Sequence, residues 1–545
     1  MKTSGDGFQC DYLIVGGGSS GSVIASRLSE NPDCQVILLE AGGDDNHPLL
    51  KIPAAAGLVS AKQTYNWNYL VEPEIQLENR QLYMSQAKLI GGGGSINSMV
   101  YTRGQHKDYN RWNEMGCGGW SFEQVLPYFK KSENSDRGSS HWHGVGGPLQ
   151  VSKGDSAPLP IAEVLLQAGE SAGIPVLDDL SQSDNEGFGY FDVSIGRGLR
   201  SSASTAFLNP VRKRKNLRVF THARARRILI EAGRAVGAEV NLKGKSIEIR
   251  ANNEIVLCSG ALHTPQLLML SGIGPADHLV SHNINVIFDA PEVGQNFQNH
   301  MTYGLNYSCQ RPITARRYFN PLFAIPAGLR YLFRRRGYLG AGPAPLGGFY
   351  SSGEQGDFAD LQLFIVPALI EGTGWGVLKQ LPSNHGFMVM VNQGNPASRG
   401  EVKLQSAQIQ DAPLIYGNYF SEPDDLNTLA RGIERIREIY RGKEIQRIGG
   451  KELFDKTAHS NQIEIKNSIK KYATNHYHVS GTCRMGSDDR AVVDTRLRLK
   501  GVEGIRVADA SVMPSLINGN TNAPVIMIAE RAADFITNDR KVELV

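Results

Sequence analysis

The 545-residue chain lacks several features that mark special classes of protein. It has no uncharged apolar run near the roughly 18 residues that a membrane-spanning helix needs. Its first ten residues are polar, so we expect no signal peptide. Six scattered cysteines show no Cys-x-x-Cys spacing, and no His, Asp or Glu trio has metal-ligand spacing. We therefore expect a cytoplasmic protein with reduced thiols and no metal.

The chain also has no large excess of either charge, which limits the kinds of partner to expect. The 57 basic and 54 acidic residues leave a formal net charge of +3, so nothing indicates a nucleic-acid partner. The length exceeds what one hydrophobic core usually holds, so we expect two domains. Glycine, by contrast, is abundant, with 60 residues that cluster at turns rather than in low-complexity tracts.

The first glycine turn, Gly16–Gly21, lies between segments that predict a dinucleotide site. A strand-like apolar run precedes it, a helix-like stretch runs from Ser19 to Glu30, and a second apolar run stops at Glu40. In this order the glycines permit a tight turn beside a pyrophosphate, and the helix N-terminus faces the phosphates. Glu40 can then accept hydrogen bonds from the ribose hydroxyls, and a carboxylate at this place argues against the 2′-phosphate of NADP. This unit alone does not distinguish FAD from NAD.

Three further segments extend this pattern along the chain. The four glycines at Gly91–Gly94 permit unusual backbone angles and predict a turn that contacts a ligand. A buried strand over Glu254–Cys258 leads into another glycine turn and a helix. Near the C-terminus a strand ends at Asp509, and a polar turn precedes a strong helix over Ala523–Ile536. The N-terminus of that helix can point at a cofactor.

The middle of the chain has a different character, with more aromatics, prolines and irregular stretches in residues 155–205 and 300–475. The stretch from Asn320 to Tyr350 is apolar and rich in glycine and proline, and is broken by Arg334–Arg336. We interpret it as a lid or surface loop over a pocket, with contact to a membrane surface as the alternative. Leu426 to Tyr440 has helical periodicity and alternating charge, which predicts a solvated amphipathic helix.

Two long segments resemble the signatures of the glucose–methanol–choline (GMC) flavin oxidoreductases. The first covers Ala87–Asn97 and continues with Tyr101, Gly104 and Asn110. The second lies within Gly260–Gly274. The resemblance also includes the N-terminal glycine turn, Val293–Asn296 and Asp509–Pro514, and therefore spans the chain. In length and general pattern the chain is most similar to the bacterial choline- and alcohol-dehydrogenase branch.

This resemblance implies an α/β (α+β) fold. A discontinuous Rossmann-like FAD-binding domain would comprise residues 1–155, 206–300 and 478–545, and a substrate domain with an antiparallel sheet would comprise 156–205 and 301–477. Glu40 would hold the adenosine ribose, Ala223 would contact adenine, and Asp509 would lie near the pyrophosphate. Ile96 replaces the histidine through which some relatives attach FAD, so we expect non-covalent FAD. The residues expected to bind it are Gly16, Gly18, Ser19, Ser20, Gly21, Glu40, Ala41, Gly92, Gly93, Ser95, Asn97, Ala223, Asp509, Ala510 and Asn522.

Alcohol oxidation needs a base for the hydroxyl proton and an acceptor for the hydride. The cluster Asn475–Thr482 offers His476 and His478, and imidazole titrates near neutral pH. The His-x-x-Gly-Thr pattern of the family's catalytic histidine matches His478, and its partner matches Asn520, with Asn522 as the close alternative. His476 stays open between pocket and solvent. Three other histidines are interpreted as structural: His143, His263 and His300.

The resemblance implies an FAD-dependent dehydrogenase that oxidises a primary alcohol to an aldehyde, with hydride transfer to flavin N5. Electrons would pass to a quinone or another carrier, and an oxygen-using oxidase is the first alternative. A flavin-containing hydroxynitrile lyase is the second alternative, although those relatives tend to have histidine at Asn520. The apolar stretch from Phe319 to Leu346 favours an aliphatic or aromatic alcohol. Peripheral membrane contact and the oligomeric state stay open.

Overall fold

In the computed structural model, the described residues are 3–4, 7–182, 186–353, 359–370, 384–453 and 461–543. An eight-stranded sheet forms the centre of one half of the molecule. Its main path runs in the order Leu217–Thr221, Val36–Glu40, Gly7–Val15, Lys245–Leu257, Arg234–Leu242 and Ala223–Glu231. Two short strands attach to this path, Thr3–Ser4 beside Gly7–Val15 and Ile505–Val507 beside Lys245–Leu257.

The parallel strands of this sheet end together. Val15 pairs with Leu39 and with Leu257, and Leu257 also pairs with Val507. The carboxyl ends of four parallel strands therefore meet at one edge, which is where open α/β sheets bind ligands. The carboxyl ends of all four strands are buried, as parallel strands covered on both faces must be.

A seven-stranded sheet forms the second half and is antiparallel except at one outer pair, Gly187–Tyr190 with Val176–Leu177. Its remaining strands, in order from the opposite edge, are Thr474–Asn475, Met301–Ser308, Gly386–Gln393, Leu361–Val366 and Leu346–Tyr350. The helix Pro423–Ile439 packs on this sheet through Leu429, Ile433 and Ile436, which are fully buried. The predicted amphipathic helix is therefore present, but only its outer face is solvated.

A smaller four-stranded sheet orders as Val100–Tyr101, Asp192–Val193, Leu149–Lys153 and Glu133–Ser135. The longer helices among the described residues are Ser19–Leu28, His106–Glu114, Phe122–Ser132, Pro160–Ser171, Gly260–Leu270, Pro321–Arg334, Pro423–Ile439, Gln462–Tyr472 and Asn522–Glu543. The mixed α/β class is confirmed, with a first sheet that combines parallel and antiparallel strands and a second sheet that is mostly antiparallel. The residue boundaries of the two domains stay a prediction.

The stretch from Asn320 to Tyr350 differs from the expected loop. It contains the helix Pro321–Arg334, a 3-10 turn at Tyr338–Gly340 and the strand Leu346–Tyr350. The Asn320 side chain caps the helix by accepting from the Leu322 N–H at 3.0 Å, and proline suits the first helical position. Among the described residues, no helix has both the length and the apolar character to cross a bilayer.

Candidate active site

A cleft lies at the edge where the parallel strands end. Val15, Leu39 and Cys258 line it from the ends of three strands, and Asp509 follows the fourth. The segment His476–Val479 lines it from the second half of the molecule. The cleft thus lies between the sheet edge that suits a dinucleotide and the predicted catalytic cluster.

The first glycine turn has no room for side chains. Gly16 has a φ of +109°, and a Cβ atom there would collide with the carbonyl of Cys258. A Cβ on Gly21 would collide with the Gly16 carbonyl, because the helix Ser19–Leu28 packs directly on the turn. Gly21 therefore shapes the turn from behind and does not line the cleft.

Glu40 is buried at the end of its strand and joins two turns. Its Oε2 accepts from the Gly17 N–H at 3.0 Å, and its Oε1 accepts from the Gly42 N–H at 2.7 Å. Burial raises the pKa of the Glu40 carboxyl, while the two backbone donors and the Lys88 charge act to lower it. The carboxylate lines the cleft, and it also fixes the backbone on either side.

The second glycine tract rests directly on the first. The Gly91 N–H donates to the Gly17 carbonyl at 2.8 Å, and a Cβ on Gly92 would lie 2.8 Å from the Cα of Gly18. Backbone-to-backbone contact is therefore one reason for four consecutive glycines. The Ser95 hydroxyl donates to the Ile90 carbonyl at 2.9 Å and does not line the cleft. The Ser95 hydroxyl therefore braces the turn, and the contact of this residue with the cofactor stays a prediction.

Sequence analysis missed Arg200, which lies buried against the second tract. Its Nη1 donates to the Gly94 carbonyl at 3.1 Å and to Asn97 Oδ1 at 2.8 Å, and its Nε donates to the Leu50 carbonyl at 2.9 Å. Burial lowers the pKa of the Arg200 guanidinium to about 9. A cation against this turn favours an anionic ligand nearby.

Each carboxylate oxygen of Asp509 accepts two hydrogen bonds from other groups of the chain. Its Oδ2 accepts from the Gly260 N–H at 2.8 Å and from Thr264 Oγ1 at 2.7 Å, at the start of the helix Gly260–Leu270. Its Oδ1 accepts from the Ser511 N–H at 2.8 Å and from the Ser511 hydroxyl at 2.6 Å. Asp509 lines the cleft, but its hydrogen bonds show it caps a helix and holds the third glycine turn.

A chain of hydrogen bonds fixes the proton on His478. The Nε2 atom of His300 lies 2.8 Å from the Gly394 carbonyl and 3.0 Å from the Ile517 carbonyl, so this nitrogen carries a proton. Burial lowers the pKa of His300 to about 4, so the ring is neutral and its Nδ1 accepts. His478 Nδ1 lies 2.8 Å from that atom and must donate. The lone pair of His478 is therefore on Nε2.

Asn520 lies beside that lone pair. Its Nδ2 lies 3.3 Å from His478 Nε2. Its Oδ1 accepts from Gln362 Nε2 at 3.2 Å and from Thr102 Oγ1 at 3.3 Å, which directs the NH₂ group towards the histidine. Asn522 instead accepts from Ser19 Oγ at 2.8 Å, at the first glycine turn. The structure therefore separates these two candidates and brings only Asn520 to His478.

His476 lines the cleft next to His478. Its ring stacks on Phe364 at 5.1 Å between centroids, and its Nδ1 lies 3.0 Å from Asn392 Oδ1. Burial lowers the pKa of His476 to about 3. Burial, followed by the neighbouring His476 and His300, also holds the pKa of His478 well below its usual value. All three imidazoles are therefore neutral near pH 7.

Comparison with known proteins agrees with this architecture. Two family models, both described as GMC oxidoreductase, match residues 10–302 and 396–529. The chain belongs to this family. GMC oxidoreductases oxidise CH–OH groups with bound FAD, and the chain is an enzyme of that type, as the resemblance implied.

Individual relatives cover nearly the whole chain of this GMC oxidoreductase. An oxygen-dependent choline dehydrogenase of Sinorhizobium medicae is 39% identical over 530 residues, which is 97% of this chain and 95% of the relative. The crystal structure of a pyridoxine 4-oxidase from Mesorbium loti matches with a TM-score of 0.86 and 31% identity, covering 96% of this chain and 98% of that one. A formate oxidase of Aspergillus oryzae matches with a TM-score of 0.91 and 26% identity, covering 99% and 100%.

The residues of the cleft fit FAD, the cofactor of this GMC oxidoreductase. Gly93 lines the cleft, and a Cβ atom there would meet no protein atom within 4 Å, so this glycine leaves open space for a flat ligand. Ile96 also lines the cleft and offers no atom for a covalent bond. The predicted cofactor residues that line the cleft are Gly16, Gly18, Ser19, Ser20, Glu40, Ala41, Gly92, Gly93, Asn97, Ala223, Asp509, Ala510 and Asn522. Their individual roles stay predictions.

Another cluster of side chains resembles a metal site by composition. His143, Asp179 and Asp192 bring ligand-type atoms within 4.8 Å of one another. The Arg137 guanidinium binds both oxygens of Asp192, at 2.9 and 3.0 Å. Hydrogen bonds to Asp179 and Glu133 raise the pKa of His143 to about 9, against the opposing effect of burial. A protonated histidine cannot ligate a metal, so this GMC oxidoreductase has an ion-pair network there.

Proposed function

We propose that the protein oxidises an uncharged primary alcohol with an apolar body to the aldehyde, with His478 as the base. The observation that carries this proposal is the hydrogen-bonded series from His300 through His478 to Asn520. It leaves a lone pair and an amide donor side by side in the cleft. An alcohol oxygen that loses its proton needs this pair of groups.

FAD, when bound, supplies the hydride acceptor. His478 Nε2 accepts the hydroxyl proton, because its lowered pKa keeps it neutral and its Nδ1 proton is committed to His300. Asn520 Nδ2 donates to the substrate oxygen and stabilises the negative charge that develops there. Gln362 and Thr102 keep the Asn520 amide in this orientation.

The sheet face behind His476 and Asn520 supports an uncharged substrate. Thr302, Asn392 and Gln362 are cross-strand neighbours, so they share one face of the antiparallel sheet beside His476 and Asn520. On the same face, Phe364 pairs with Met390. The sheet face behind the proposed catalytic pair is therefore neutral next to these two residues and apolar beyond them.

A quaternary ammonium group fits this cleft poorly. Among the described residues, the carboxylates that line the cleft are Glu40 and Asp509, and both accept hydrogen bonds from turn backbone. Such a cation needs a carboxylate or a free aromatic face. Trp67 and Tyr477 line the cleft. Lys88 and Arg224 lie over the Trp67 ring at 4.2 and 4.7 Å, and the Tyr83 ring packs against Tyr477 at 6.3 Å between centroids. We therefore infer a substrate other than choline, although relatives carry that name.

The electron acceptor is proposed as a quinone or another carrier, with oxygen as the second candidate. The similarity to an oxygen-dependent choline dehydrogenase and to a pyridoxine 4-oxidase supports oxygen. Reduce the holoenzyme with substrate in the absence of oxygen, and then mix it with oxygen or with a soluble quinone. Faster recovery of the flavin colour with quinone supports the dehydrogenase, and faster recovery with oxygen supports the oxidase.

His478→Ala tests the base directly. Anaerobic mixing with a panel of aliphatic, aromatic and quaternary-ammonium alcohols follows the loss of flavin absorbance. We expect His478→Ala to slow this step roughly 10²- to 10⁴-fold, the worth of a positioned base, and Asn520→Ala to slow it less. His278→Ala is the matched control, because His278 lies outside the cleft and binds the Leu404 N–H.

FAD content must stay normal in all three variants for the comparison to hold. A native rate in His478→Ala would place the base elsewhere, with His476 as the next candidate. Reduction by choline faster than by any uncharged alcohol would overturn the proposed substrate class. If no alcohol reduces the flavin and a cyanohydrin is cleaved, the lyase alternative replaces the oxidation.

A further inference from the structure

The helix Pro321–Arg334 exposes a continuous apolar face. Leu322, Ile325, Leu329, Leu332 and Phe333 are 78%, 62%, 52%, 63% and 79% exposed. Their spacing of three and four residues places them along one side of the helix. Single exposed apolar residues are ordinary, but a contiguous stripe of large ones indicates a binding surface.

The other side of this helix is attached to the body of the protein. Tyr331 is buried, and its hydroxyl donates to the Gly198 carbonyl at 3.0 Å. The helix is therefore held in place with its apolar stripe outward. We call this stripe, from Leu322 to Phe333, the apolar face.

The surrounding sequence carries charge of one sign only. Residues 293–353 contain no Asp and no Glu. The same segment contains seven arginines, Arg311, Arg316, Arg317, Arg330, Arg334, Arg335 and Arg336. The last four are exposed at the C-terminal end of the helix. The apolar face is therefore flanked by cations that have no acidic neighbour in sequence.

We propose that the apolar face docks on the surface of an anionic lipid bilayer. An amphipathic helix with arginine at its border lies in the plane of the interface, with its apolar side among the acyl chains and its cations on lipid phosphates. A second copy of the chain is a poorer occupant. Pairing two copies through this face would join two segments that each carry seven arginines and no acidic residue, and like charges without an acidic partner oppose such contact.

This docking helix is connected to a wall of the cleft. The turn Tyr338–Gly340, which follows it, contacts Pro53–Ala55. The next residue, Ala56, packs with Met99, and Met99 lines the cleft. A bilayer bound to the apolar face would thus lie beside a segment that borders the site, which suits an apolar alcohol dissolved in lipid. Docking itself does not depend on the proposed reaction.

Sedimentation with vesicles tests the docking. Holoenzyme is mixed with vesicles of phosphatidylcholine alone or with added phosphatidylglycerol, and the bound fraction is measured in the pellet. We expect binding to the anionic vesicles that weakens with salt. The variant Leu322→Ser/Leu332→Ser/Phe333→Ser should lose at least roughly tenfold in vesicle affinity. The variant Arg330→Gln/Arg334→Gln/Arg336→Gln should lose a similar factor on anionic vesicles only.

The control is Ile75→Ser/Val280→Ser, which removes two apolar side chains that are 80% and 64% exposed elsewhere. It should bind vesicles as the parent does. Flavin content and thermal unfolding of each variant exclude a folding defect. Failure of the parent to bind anionic vesicles, or equal binding by the serine variant, would overturn the proposal. So would a concentration-dependent dimer that the serine variant abolishes, since the occupant would then be a second copy.

Discussion

Replacing His300 by phenylalanine removes the acceptor that fixes the proton of His478. Phenylalanine keeps most of the ring volume, but the Nδ1 acceptor 2.8 Å from His478 Nδ1 disappears. A buried N–H left without a partner costs about 1–3 kcal/mol, and the proton can then move to Nε2. At about 1.4 kcal/mol for each factor of ten, flavin reduction should slow by roughly 10- to 100-fold.

Anaerobic stopped-flow reduction of the holoenzyme by a saturating alcohol measures this loss. A positioning role predicts a fall in the limiting rate with little change in substrate affinity. His300→Gln should recover part of the rate, because its amide oxygen can accept from His478. His278→Phe is the control for histidine-to-phenylalanine replacement outside the cleft. If His300→Phe reduces flavin at the native rate with normal FAD content, the tautomer of His478 does not depend on His300.

Three other outcomes are expected. Because Ile96 offers no covalent attachment, acid denaturation followed by filtration should release all the FAD, and yellow colour left in the precipitate would contradict this. Glu40→Ala should weaken FAD binding by about 1–3 kcal/mol without slowing the chemical step, and unchanged affinity by titration of the apoprotein would remove that role from Glu40. The folded-state pKa of His476, about 3, lies below its unfolded value, so its contribution to stability is complete above pH 6.5 and falls as pH drops. The free energy of unfolding, measured in urea, should therefore fall less for His476→Phe than for the parent between about pH 6.5 and 4. An equal fall would contradict the buried neutral ring.

The cofactor half was predictable because its signals are local. Glycine turns, strand ends and helix starts follow one another within a few residues, and the turn at Gly16 admits no other residue type. The helix expected from Ser19 to Glu30 is observed as Ser19–Leu28. The helix Pro321–Arg334 was missed for the opposite reason. Pro326 and Gly328 lie inside it, and its apolar residues face outward where no core explains them.

The residues of the candidate site were predictable only where a family signature includes them. The family patterns pointed to His478 and Asn520, and the structure places both in the cleft. His300 was interpreted as structural because its partner lies 178 residues away, and no local pattern connects them. Arg200 contacts Asn97 across 103 residues and was missed in the same way. Contacts of this kind depend on tertiary packing, which produces no periodic pattern in the amino-acid sequence.

The position of the proposed base, His478, depends on the edge of the antiparallel sheet. The two-residue strand Thr474–Asn475 pairs with the start of Met301–Ser308, and the His476 N–H donates to the His300 carbonyl at 2.9 Å. This pairing brings the segment that ends in His478 next to the His300 ring. Asn520 precedes the helix that packs on the first glycine helix, so it belongs to the cofactor half. The proposed chemistry therefore requires the two halves to keep one register, and Gln362, which extends from the sheet to Asn520, connects the two halves at this point.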